Sequence, residues 1–338
     1  MANPVVAPWE LDPKGDVLLT LHNPNAPFAV WDEYWYRKIA TEATHVRPIY
    51  KSNAKVQFLL SSRHLSLASG YFKNLLRGPW IEATPTSPDG RLCVDAEGWD
   101  ENSMLILMRI IHGHNYKIPK SMTLEEVAKV AVLVDYYQCH EAVMVWSDVW
   151  INNMPGYDKH TFNRDIVLWI LVTQVFRKEK LFKNATLVAI QHCKGKFPTL
   201  GLPITAAAGR IDEQREYLLG QIFFLLYDLL KRLREGRAGC SFECSSMLLG
   251  ALSIQLQKLG ILEPPLNPPY ARYSYLITIS TMLGLVTPRW IPLPSSALPK
   301  APASTSREEP HSCTLPSFLS ARLSDKAKGI ELANIRKD

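Results

Sequence analysis

The sequence predicts an α+β domain at the N-terminal end, built from a small sheet with a helical cluster, followed by an all-α region and a disordered tail. Three observations carry this reading. The β-prone runs at 16–21, 55–60 and 91–95 all lie early in the chain and alternate with helical patterns. From Phe162 onward the periodicity is helical only. Beyond Trp290 the chain is rich in Pro, Ser and Ala and carries no strong period.

Residues 1–15 are Pro-rich and read as a flexible arm. Asp16-Val17-Leu18-Leu19-Thr20-Leu21 starts the first strand after Gly15, and His22 to Pro27 is a turn with two prolines and two asparagines. In the ambiguous stretch 28–50, Trp31, Tyr34, Trp35 and Ile39 fit one helix face. Lys55 to Leu60 is the second strand, after which Ser61 and Ser62 can cap a helix. Leu65, Ala68, Phe72, Leu75 and Leu76 then recur at helical spacing, with a break near Gly70. Arg91 to Asp95 is the third strand. Asp100 opens a helix that Gly113 ends, and Thr123 with Glu126 forms a capping box for the next. A further helix carries Ala142 to Trp150, and Met154-Pro155-Gly156 closes this section.

Residues 162–178 and 181–194 make two more helices before the prolines at 198 and 203. Ile211 to Arg234 is a long helix with acids at its start and bases at its end, as the helix dipole prefers. Ser241 to Leu259 is another helix, Glu263 to Pro269 a stiff connector, and 270–286 a last apolar helix, with a short one possible near 315–335.

Composition narrows the function. The chain has 338 residues, 47% hydrophobic and 21% charged, an ordinary globular mix that excludes disorder throughout, collagen and low-complexity arrays. Its net charge of +6 is dispersed, so direct nucleic-acid binding is not expected. Six cysteines are too few for a disulfide scaffold, and the N-terminus lacks the pattern of a signal peptide. The apolar runs 166–176 and 217–230 are too short to span a bilayer. A reduced intracellular protein, nuclear or cytoplasmic, is the expectation.

No glycine-rich phosphate loop, nucleophile elbow or His-Glu-x-x-His is present, so no enzyme and no cofactor is expected. His112 and His114, with Cys139-His140 further on, read as a helix end with a buried thiol rather than a metal site. Cys240 and Cys244 read as a capping region with a buried thiol, and His311-Ser312-Cys313 is weaker still, so no metal is expected. Lys231, Arg232, Arg234 and Arg237 fit a dipole-matched helix end better than a phosphate contact. Two apolar stripes on the 211–234 helix, one through Leu218, Ile222 and Leu229 and one through Leu219, Phe223 and Leu226, indicate burial on two sides rather than a coiled coil.

Residues 55–154 follow the order strand, helix pair, strand, three helices, and the blocks Phe58 to Leu76, Leu105 to Gly113 and Leu124 to Cys139 agree with it in order and spacing. In that order and with those residues the chain resembles the BTB/POZ domain, in particular the variety common in fungal proteins. The resemblance covers 16–154, with an insertion at about 22–54, and 155–290 looks similar to the helical region that follows the domain in such relatives. The tail is then 291–338. Leu65, Leu67, Phe72, Leu107, Ile110 and Val134 supply apolar faces, Ser69 can bond backbone groups freed at the helix junction, and Tyr136 and Tyr137 bury their rings with hydroxyls hydrogen-bonded.

The resemblance implies an interaction module. Such domains commonly dimerise; some bring substrates to a cullin-type ubiquitin ligase and others serve transcriptional regulators. Partner contacts are expected at Asp16, Tyr71, Leu75, Tyr136 and Tyr137. Many relatives carry His-Lys or His-Arg where this chain has Ser61-Ser62. The basic half of the charged pocket of transcription-factor domains is therefore missing, while Asp16 matches the acidic half. The rival from another class is an enzyme whose site assembles from dispersed residues in 155–290.

Overall fold

The computed structural model describes residues 8–32, 54–77, 81–85, 87, 89–289, 312–320 and 323–335. Tyr34, Trp35, Ile39 and most of the 22–54 insertion lie outside the described residues, as do residues 1–7 and 290–311. The architecture is α+β: a four-stranded mixed sheet and a mainly helical remainder.

The sheet runs in the order β1-β3-β2-β4, with β1 at Trp9–Glu10, β2 at Val17–His22, β3 at Lys55–Leu60 and β4 at Leu92–Glu97. β2 is antiparallel to β3 and parallel to β4, and β1 is parallel to β3. The apolar alternation of β2 sets its faces, since Val17, Leu19 and Leu21 are fully buried while their neighbours are half-exposed. His22 stands opposite Lys55, and the Asn23 N–H donates to the Ala54 carbonyl at 3.1 Å, so the two ends of the insertion meet. The arm expected over 1–15 is corrected from Trp9 onward. The β3 edge offers its carbonyls, the Leu11 N–H donates to Leu59 O at 3.0 Å, and Leu11 is buried.

The helices of this region are α1 (Ser62–Ala68), α2 (Gly70–Arg77), α3 (Glu101–Ile111), α4 (Leu124–Tyr137) and α5 (His140–Asn153). The break expected near Gly70 falls at Ser69. Its hydroxyl donates to the Tyr137 carbonyl at 2.5 Å and accepts the Phe72 N–H at 3.0 Å. The capping box forms, with the Thr123 hydroxyl accepting the Glu126 N–H and the Glu126 carboxylate accepting the Thr123 N–H. The proposed capping by Ser61 does not occur, because its side chain makes no cap bond.

The chain divides into two units, the first 1–189, 197–211 and 329–338, the second 190–196 and 212–328. A boundary at 154 is therefore not where the structure divides. The reason is α6 (Arg164–Val175), which is apolar on every side and packs along α4, so that Ile166 to Val172 are all buried. Within the first unit most of α7 (Glu179–His192) follows, and the chain end returns to it. The Ile330 N–H donates to the Thr186 hydroxyl at 2.9 Å, and Ile330 and Leu332 are buried.

The second unit contains most of α8 (Thr205–Arg234), then α9 (Phe242–Lys258), α10 (Tyr275–Leu283) and α11 (Leu315–Ser320). Both stripes of α8 are buried, at Leu218, Ile222 and Leu229 and at Leu219, Phe223 and Leu226. The short helix expected near 315–335 forms at Leu315–Ser320, and the tail reading is corrected for the rest of 312–320 and for 323–335. Leu315 and Leu319 are buried, α11 packs on α10, and the Leu315 N–H donates to the Thr287 hydroxyl at 2.9 Å. The apolar positions there are few but well placed, which composition alone does not reveal.

Candidate functional site

The expected contact residues separate into three groups. Asp16 stands just before β2, and its carboxylate accepts the Ser62 N–H at 2.7 Å and the Ser62 hydroxyl at 2.6 Å. It thus fills the cap position of α1 that Ser61 leaves empty. Partial burial opposes its charge, but these hydrogen bonds and the Arg63 charge outweigh it and hold the carboxyl below its usual range.

Tyr71 and Leu75 lie one turn apart on α2, both half-buried, and Tyr136 is half-exposed on α4. The Tyr71 and Tyr136 rings sit 5.3 Å apart, with Trp99 5.3 Å from Tyr136. Burial, the Tyr136 hydroxyl and the Glu82 charge push the Tyr71 phenol up to about 12. Tyr137 is a correction. It is 2% exposed and stacks on Phe72 at 4.8 Å, so it supports the cluster from below and is out of a partner's reach. Burial raises its pKa strongly.

Beside this cluster, a groove of about 560 Å³ runs along α1 and the α1–α2 junction to the start of α5. Arg63, Lys73 and Arg77 line it against a single acid, Glu141. Leu67 projects from its wall with 89% of its surface exposed. The junction is held to the α4–α5 turn by Ser69 and by the Gly70 N–H, which donates to Gln138 O at 3.4 Å. The resemblance places Leu67 among the apolar-face residues of the domain; the structure corrects this, since Leu67 lies outside the core.

His112, read as a helix end, is that and more. It is buried at the C-terminal cap of α3, and both ring nitrogens are occupied by Ser61 N and Met108 O. Burial also pushes the Cys139 thiol up to about 12. The basic run at the end of α8 is partly neutralised in place, with Arg232 on Asp228 at 2.9 Å and Arg234 near Glu263 at 3.9 Å.

The structure also assembles what spacing missed. The sulfur atoms of Cys240, Cys244 and Cys313 lie within 4.8 Å of one another. Cys244 is buried in the first turn of α9, Cys240 is exposed just before it, and Cys313 is half-exposed just before α11. No disulfide joins any cysteine. Only the closeness of Cys240 and Cys244 was visible in the sequence, since nothing local connects them to Cys313.

Among the described residues, no helix is long and apolar enough to cross a membrane. Compared with protein-family models and with curated proteins, the chain matches none of them.

Proposed function

We propose that this is a non-enzymatic interaction protein of the BTB/POZ kind, in which the α+β module brings protein partners together. The observation that carries the proposal is Leu67, an almost fully exposed leucine on the wall of a groove with three cations and one acid. Burying such a side chain gains nothing within the chain. It gains about 1.5–3 kcal/mol against a partner that covers it. The charge of the groove favours an acidic segment with an apolar side chain at its centre. The half-exposed rings of Tyr71 and Tyr136 extend the surface with residues that bury much area for little lost freedom.

Two specific roles follow from the resemblance: a dimerising scaffold, and a substrate adaptor of a cullin-type ubiquitin ligase. The test is quantitative affinity purification of the full chain beside Leu67→Asp and Arg63→Glu/Lys73→Glu. Proteins lost in both variants support the groove as the contact. A cullin among them selects the adaptor role, and nuclear regulators select the scaffold. Identical recovery from all three chains overturns the proposal. Light scattering on the purified protein decides whether a second copy is one of the partners.

A further inference from the structure

We propose that Cys240, Cys244 and Cys313 form a zinc site that fastens the 312–320 segment to the N-terminal end of α9. The expectation of no metal weighed Cys240–Cys244 and Cys313 separately; the fold brings the three sulfurs together. Three thiols within 4.8 Å of one another match the spacing that zinc imposes, since Zn–S bonds of about 2.3 Å in a tetrahedron place sulfurs about 3.8 Å apart. Thiolates are the soft ligands that select zinc over harder cations. The exposure of Cys240 leaves the fourth position to solvent.

The local structure holds the ligands together. Ser241 caps α9, its hydroxyl accepting the Cys244 N–H at 3.2 Å, so Cys240 and Cys244 straddle the start of one helix. Gly239 presses the preceding turn onto the helix. Its φ is +94°, and a Cβ on it would stand 2.8 Å from the Ser245 hydroxyl and 3.2 Å from the Cys244 sulfur. The Ser245 hydroxyl donates to the Ala238 carbonyl and closes the same turn. Cys313 arrives with α11, whose Leu315 and Leu319 are buried. As each Zn–S bond forms, the thiol releases its proton to solvent, and no electrons move.

The full chain, purified anaerobically with reductant, is titrated with Zn²⁺ alone and with Co²⁺ alone. About one equivalent of zinc is expected, with a thiolate-to-cobalt charge-transfer band and the visible bands of a tetrahedral ion. Cys240→Ser and Cys313→Ser should each weaken zinc by more than about tenfold, and Gly239→Ala should weaken it too, while Cys93→Ser leaves it unchanged. Cys240 and Cys313 are the chosen positions because neither is buried, so their variants keep the fold; circular dichroism verifies this. Zinc should also slow amide exchange over 315–320 in the wild-type chain and not in Cys313→Ser. The proposal is overturned by substoichiometric zinc in the wild type, by zinc retained in both serine variants, or by a mass two hydrogens light that shows a disulfide among the three.

Discussion

The Ser61 N–H donates to Nε2 of His112 at 3.0 Å, and this bond joins the start of α1 to the end of α3. A backbone N–H can only donate, so Nε2 carries no proton. The proton is on Nδ1, which donates to the Met108 carbonyl at 2.8 Å. Both groups are buried, and the imidazole is locked neutral in one tautomer.

Replacing His112 with Leu leaves the Ser61 N–H buried without an acceptor, and should cost about 1–3 kcal/mol in denaturant unfolding. Gln, which can accept from Ser61, should recover part of it. Burial lowers the folded pKa of His112 below 6.5, aided by the His64 and His114 charges. Its contribution is therefore complete above about pH 6.5 and declines as pH falls from there toward the folded value. The Gln variant should lose that portion of the pH dependence; an unchanged profile would remove His112 as its source.

Asp16→Ala should destabilise by about 1 kcal/mol, the usual effect of losing a helix cap. Asp16 is exposed, so the charge itself adds little. Ser62→Ala removes the hydroxyl bond and keeps the N–H bond, and should cost less. A larger loss from Ser62→Ala in equilibrium unfolding would show that the carboxylate is not the cap.

Tyr136 and Tyr137 are adjacent but unequal. Tyr137→Ala empties a fully packed position and should cost about 3–5 kcal/mol, whereas Tyr136→Ala should change stability by less than about 1. Because burial and the Tyr136 hydroxyl push the folded Tyr71 phenol up to about 12, its contribution is whole below pH 10 and is lost as pH rises from there through about 12. Ultraviolet difference titration of the wild type against Tyr71→Phe measures this.

Lys129 bridges Asp100 at 3.2 Å and Glu125 at 3.1 Å, and Arg164 bonds Glu125 at 2.8 Å and the Ala29 carbonyl at 2.8 Å. Burial opposes the charge on both acids, but hydrogen bonds outweigh it. The Ser103 N–H and hydroxyl and Lys129 hold Asp100 low, and Lys129 and Arg164 hold Glu125 low. Their ordinary values are 3.8 and 4.5, so the network's contribution is whole above about pH 5 and is lost as pH falls through the lowered values. Lys129→Met should flatten the acid limb of the stability curve; an acid limb identical to wild type would exclude the network.

What the sequence by itself determined are features written within a few residues of each other. The alternation of β2, the Thr123–Glu126 capping box, the break near Gly70, and the two-sided burial of α8 all have local periods or fixed offsets. Tertiary structure decided the rest. It placed Asp16 on Ser62, Ser61 on His112, Tyr137 beneath Tyr136, the Trp9–Glu10 strand on β3 and Cys313 beside Cys240 and Cys244. Each of those contacts closes in three dimensions. Its strength depends on what the fold has already excluded from water, and a period along the chain carries no record of that.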